Sequence, residues 1–149
     1  RISRDNARTP MQWDDSAYGG FSDHTPWLGV NPNYKEINAD SQMADDSSVF
    51  RFYQKLISLR KEHPVMAHGD LQLCCPEDGP VIAYTRSYQD ETWLAVHNFS
   101  QDMQKFQYTG TGLQLDTSVL LSNYPEHDIC PEDEILTLKP YETVIFRLS

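Results

Sequence analysis

The chain is 149 residues long and carries 12 Lys+Arg against 22 Asp+Glu, a formal net charge of −10. That balance argues against nucleic acid as a partner, because phosphate binding needs a basic face. With 39% hydrophobic residues the chain is too apolar to be a disordered acidic tail, and no apolar run approaches the length of a membrane-crossing helix.

Arg1 opens directly into a dense polar stretch, with no initiator Met and no signal-peptide pattern, so the sequence reads as a piece of a longer chain. Residues 1–46 are loop-rich, punctuated by Pro10, Gly19, Gly20, Pro26, Gly29 and Pro32 and without apolar periodicity. A structureless loop this long is uncommon inside a compact domain; it is functional or is supported from elsewhere. Residues 47–63 then read as one strong helix. Asp46 or Ser47 can cap it, and Val49, Phe50, Phe52, Tyr53, Leu56, Ile57 and Leu59 recur at helical spacing. Arg60, Lys61 and His63 suit the negative end of the helix dipole, and Pro64 stops the helix. So wide an apolar stripe needs a partner surface, since each buried large side chain contributes ~1.5–3 kcal/mol.

From Gly69 the pattern changes to short alternating runs. Strands are expected over Leu71–Cys74, Val81–Tyr88, Thr92–Phe99, Lys105–Tyr108, Ser118–Ser122, Ile135–Leu138 and Thr143–Leu148. The turns between them fall at 76–80, 89–91 and 109–112, and such spacing predicts an antiparallel sandwich. Charge divides at the same place: residues 1–67 carry eight basic and nine acidic side chains, residues 68–149 four and thirteen. We therefore expect two parts, 1–67 and 68–149.

Cys74, Cys75 and Cys130 are an odd set with one adjacent pair, a poor disulfide framework. A reducing, cytoplasmic setting is expected, and no Cys/His spacing resembles a zinc site. His24, His63, His68, His97 and His127 are scattered and read as surface or capping residues. No metal or cofactor is expected. Asn98-Phe99-Ser100 matches a glycosylation sequon but falls on an expected core strand. Trp93 is expected in the sandwich core. Trp13 and Trp27 could stack on sugar faces, but burial against a neighbouring domain is the simpler reading.

The most informative stretch is Ser3-Arg4-Asp5-Asn6-Ala7-Arg8-Thr9-Pro10-Met11-Gln12-Trp13-Asp14. Two arginines, an Asp and an Asn beside a Trp fit either a sugar pocket, with Arg as a planar fork of donors, or an ion-paired brace that only holds a loop. The run resembles the signature of the oligo-1,6-glucosidase and dextran glucosidase group of glycoside hydrolase family 13, the α-amylase family. The likeness extends through Gly20-Phe21, Thr25-Pro26-Trp27, Asn31 to Asn38, Asp46 to Phe50 and Tyr53 to Lys61, and returns at Leu138 to Phe146.

The resemblance implies an α+β segment: the last loop and helix of a (β/α)8 barrel (residues 1–67), followed by an antiparallel β-sandwich, domain C (residues 68–149). It implies retaining glycoside hydrolysis by three barrel carboxylates, none of which can be matched here, so the isolated segment is expected to be inactive. Asp14–Asp15 and Asp45–Asp46 read as solvated neighbours rather than a catalytic pair. One substrate contact carries over. Arg4 matches the family's Arg that binds hydroxyls of the non-reducing terminal glucose and pairs with an Asp from an early barrel loop, while Asp5, Asn6 and Arg8 hold the loop. The implied partner is an oligosaccharide bound through the parent barrel, with neither nucleic acid nor membrane. Trehalose-6-phosphate hydrolase shares most of this pattern and is the near alternative. A different class is a non-catalytic buttressing or carbohydrate-binding module, which would need exposed aromatics in a row on one sandwich face.

Overall fold

The computed structural model describes residues 4–74, 79–108, 115–126, 128–130 and 134–148, without the side chains of Arg4, Asn6, residues 115–117 and residues 128–130. The expected turns at 109–112 and most of 76–80, together with Cys75 and His127, lie outside them, as does the Cys130 side chain. The chain forms two compact units, Arg1–Gln54 and Lys55–Ser149.

In the first unit the long polar segment is built from single turns rather than open coil. Short 3-10 turns at Arg4–Arg8, Ala17–Gly20 and Pro32–Lys35 precede a six-residue helix, α1 (Ala39–Ala44). Sequence periodicity missed α1 because it is too short to show one, but its start signal is present. Asn38 accepts from the Ser41 N–H at 2.8 Å and the Ser41 hydroxyl accepts from the Asn38 N–H at 3.2 Å, a reciprocal cap.

Helix α2 (Val49–Glu62) runs from the first unit into the second. Its cap is Ser48, not Asp46 or Ser47: the Ser48 hydroxyl accepts from the Arg51 N–H at 3.2 Å. Asp45 instead closes the preceding turn by accepting from the Ser47 N–H and hydroxyl at 2.8 and 2.7 Å. Val49, Phe50, Tyr53 and Ile57 are exposed, and no α2 residue is buried. Phe52, Leu56 and Leu59 are half-buried, so the stripe read from the sequence is only partly covered. A one-turn helix, α3 (Val65–His68), follows Pro64 and ends at Gly69, where a Cβ would stand 2.5 Å from the Val65 carbonyl oxygen.

The second unit contains the sandwich. Eight strands are described: β1 (Asp70–Leu73), β2 (Val81–Tyr88), β3 (Glu91–Asn98), β4 (Gln104–Gln107), β5 (Leu115–Ser122), β6 (Asp128–Cys130), β7 (Ile135–Leu138) and β8 (Thr143–Leu148). All seven expected strands are present within a few residues. The addition is β6, three residues long and too short for an alternating pattern to register. Every pairing is antiparallel, in a five-stranded sheet of order β1-β2-β3-β8-β5 and a three-stranded sheet of order β4-β7-β6. Ala83, Leu94, Val96, Val144 and Phe146 from the large sheet close on Phe106, Leu136 and Leu138 from the small one, which is the alternation of a two-sheet core.

Trp93 departs from expectation. It is 2% exposed, but strand alternation turns it away from Leu94 and Val96, so it lies on the other face of the large sheet. There the His63 ring, just after α2, packs on it with centroids 4.8 Å apart. The indole N–H donates to Glu91 Oε1 at 2.9 Å, and that oxygen also has His63 Nδ1 at 3.4 Å and Arg147 Nε at 3.8 Å. His63 is thus a packing residue. His97 is also not a surface histidine: it stands half-buried in β3 between the Tyr84 and Phe99 rings, within 3.1 Å of the Thr143 hydroxyl, and burial pushes its pKa below the ordinary 6.5.

Candidate functional site

The arginine-bearing segment begins in the Arg4–Arg8 turn. The Arg4 backbone starts that turn, and its side chain lies outside the described residues. One turn on, the Arg8 guanidinium meets the Asp5 carboxylate at 3.3 Å with both side chains exposed. A solvent-accessible pair of this kind adds little stability.

The following residues are anchored from two sides. The Gln12 and Trp13 carbonyls accept from the Ala39 and Asp40 N–H groups at 2.9 and 3.0 Å. Those are the first donors of α1, which have no partner within their own helix. On the opposite side the Trp13 and Asp14 N–H groups donate to the Gly19 carbonyl at 2.8 and 3.3 Å. The Gln12 side-chain amide donates to Asn33 Oδ1 at 3.1 Å and to the Ile37 carbonyl. Gln12 and the Trp13 backbone are therefore a clamp that fixes the loop, a role the sequence did not disclose because all the partners but Gly19 lie more than twenty residues away.

Asp14 turns its carboxylate on its own chain, accepting from the Ser16 N–H at 2.8 Å and from the Ser16 hydroxyl. These bonds hold it below the ordinary carboxylate value of 3.8, and Ser47 does the same for Asp45. Each acidic doublet thus has its first member committed to a local turn, consistent with neighbours that brace loops.

Among the described residues, hollows border the segment. One, of about 580 Å³, is lined by Asp5, Arg8, Thr9, Pro10, Phe21, Pro26, Trp27 and Leu28. Trp27 is 99% exposed. The second, of about 570 Å³, lies between residues 9–14 and α1 and is lined by Met11, Trp13, Ile37, Met43 and Phe50 among others. Neither Trp13 nor Trp27 is buried by the described residues.

The remaining candidates are dispersed. His24 contacts Ser22, and the His68 ring lies 5.9 Å from that of Tyr88. Cys74 is half-buried, its thiol donating to the Gln72 carbonyl at 3.5 Å. Among the described residues no three His, Cys, Asp or Glu side chains are placed to hold a metal, and no helix is long and apolar enough to cross a membrane. Asn98 of the sequon is 3% exposed. Its amide nitrogen donates to the Asp102 and Lys139 carbonyls at 2.8 Å each, and its oxygen accepts from the Ser100 N–H and hydroxyl at 2.9 Å each. Both amide hydrogens are committed, so this Asn is a structural knot.

Comparison with known proteins places these features in context. Residues 1–69 match the α-amylase catalytic-domain family, and residues 81–145 match the family of the C-terminal domain of the α-amylase SusG. The oligo-1,6-glucosidase of Halalkalibacterium halodurans is 46% identical over 96% of this chain and 25% of its own length. The trehalose-6-phosphate hydrolase of Bacillus subtilis is 36% identical over 99% of this chain and 26% of its own. The crystal structure of the trehalulose synthase MutB from Pseudomonas mesoacidophila superposes with a TM-score of 0.89 at 41% identity, over 99% of this chain and 26% of that one. The chain spans about a quarter of the length of the proteins it matches.

Proposed function

Since the chain belongs to glycoside hydrolase family 13, the α-amylase family, and corresponds to a C-terminal segment of its members, we propose that it completes a retaining, exo-acting α-glucosidase. The full-length enzyme would cleave α-1,6-glucosidic bonds at the non-reducing end of isomalto-oligosaccharides. The observation that carries this reading is the 46% identity to an oligo-1,6-glucosidase along nearly the whole chain.

In this reading a nucleophilic Asp, an acid/base Glu and a stabilising Asp come from barrel strands outside the segment, and the segment alone is inactive. Arg4 supplies a fork of donors to hydroxyls of the terminal glucose and, paired with a barrel Asp, closes the pocket so that a chain end enters and a longer glucan does not. The clamp at Gln12 and Trp13 and the reciprocal Asn38–Ser41 cap hold the base of that loop. Residues 1–67 finish the catalytic barrel, with the exposed face of α2 seated on it as barrel helices are. Residues 68–149 form the buttressing domain C, and the protein works in the cytoplasm.

Trehalose-6-phosphate hydrolase is the second reading, favoured by the 36% identical relative from B. subtilis. The segment offers no Gly-rich or Lys-rich cradle for a phosphate. Assaying the full-length protein on isomaltose and on trehalose-6-phosphate separates the two. Preferential release of glucose from isomaltose supports the first; preference for the phosphorylated sugar overturns it.

A further inference from the structure

Strand alternation gives the five-stranded sheet two faces. Ala83, Leu94, Val96, Val144 and Phe146 fill the sandwich core from one of them. Antiparallel register sets Leu71 beside Arg86, Leu73 beside Tyr84 and Ile82 beside His97 on the other. Phe99 continues that outer face, since its ring meets His97, which stacks on Tyr84. Part of the face is covered within the segment. The rings of His63 and His68 meet Trp93 and Tyr88, and α3, with Val65 fully buried, packs on β2 and β3. The cover stops toward the β1–β2 edge, where Leu71, Leu73, Ile82 and Phe99 are all exposed, Leu73 and Phe99 by 65% and 64%. Large apolar side chains gathered on one face mark an interaction surface, unlike apolar residues scattered singly. Among them Arg86 has its Nε buried and without a hydrogen-bond partner among the described residues, which leaves a charged donor unsatisfied.

What covers this edge must therefore bring apolar side chains and an acceptor, and a carboxylate suits a guanidinium best. A second copy of the same face does not bring one. Among the described residues of β1, β2, β3 and β8, Glu91 is its one carboxylate, already engaged by the Trp93 indole, His63 and Arg147. We infer that the occupant is the catalytic barrel of the same polypeptide, which covers Leu71, Leu73, Ile82 and Phe99 and sets a carboxylate against Arg86. The site is continuous with a contact already present, since His63 and α3, at the end of the barrel portion, lie on this face. The inference rests on the reading of residues 68–149 as a buttress and adds which face meets the barrel and which charge it pairs.

The test is iodoacetamide labelling of single-cysteine substitutions in the full-length protein, followed site by site by mass spectrometry. Each rate is compared with that of the same site in urea. Leu73→Cys and Ile82→Cys are expected to react about 100-fold or more slowly when folded, because labelling must await an opening of the interface. Gln107→Cys, exposed and turned away from the core on β4, is the reference and reacts nearly as fast folded as unfolded. Labelling of Leu73→Cys and Ile82→Cys at the reference rate overturns the proposal. Protection that disappears on dilution, in step with a fall in sedimentation coefficient, also overturns it by assigning the face to a second copy. Arg86→Met is expected to lower the melting temperature by stranding the carboxylate, with Arg86→Lys restoring part of the loss; a wild-type melt in Arg86→Met overturns the pairing. Isomaltose hydrolysis by the wild type reports separately on the activity proposed for the full-length enzyme.

Discussion

Gly20 holds φ +67, and a Cβ placed on it would stand 2.4 Å from an Asp14 carboxylate oxygen. The turn thus requires glycine twice over, for its left-handed backbone and for the close approach of the carboxylate that Ser16 anchors. Gly20→Ala is expected to lower the unfolding free energy of the full-length protein by about 1–3 kcal/mol in a urea titration. An unchanged midpoint would show that this turn is free to rearrange. Asn98 stands at the opposite extreme, a buried amide with all four bonds made. Asn98→Ala removes four bonds from a buried site; the Asp102 carbonyl keeps the Ser100 hydroxyl and the Lys139 carbonyl keeps the Glu142 N–H, but the Ser100 N–H loses its acceptor, and about 1–3 kcal/mol should be lost by the same measurement. Both roles were half-legible in the sequence. Gly19-Gly20 announced a turn, and Asn98 fell on an expected core strand, but the atoms that make each residue indispensable come from elsewhere in the chain.

Among the elements, α2 was the plainest in the sequence and its surroundings the least. Seven apolar residues at helical spacing fixed its existence and most of its length; the cap shifted to Ser48 because Asp45 closes the turn just before it. The strands were legible for the same reason, since a period of two survives any context. What α1 and β6 lacked was length, six and three residues giving periodicity nothing to act on. Trp93 was misplaced because burial alone does not say which side of a sheet is buried, and the covering residue, His63, comes from outside the strands. The exposed face of α2 carries its own test. Ile57→Glu in the full-length protein is expected to cost about 2 kcal/mol or more, through a lost apolar burial and an unpaired carboxylate, and to lower the melting temperature. A wild-type melt would mean that this face meets water in the intact protein.

At the scale of the whole molecule the sequence disclosed the family and the sandwich, because a twelve-residue polar run and seven short strands are each specific patterns. It could not disclose the clamp on the loop or the hollows beside it, which arise when residues 5–14 meet residues 19–50. The central claim is that this loop borders a glucose cavity whose acidic groups lie in other parts of the enzyme, with Arg4 reaching the sugar. The direct measurement is the kinetics of Arg4→Ala in the full-length protein on isomaltose, paired with its melting temperature. Loss of a charged, two-pronged contact should cut kcat/KM about 100-fold while the melt stays at the wild-type value. Wild-type kinetics in a folded Arg4→Ala would contradict the account.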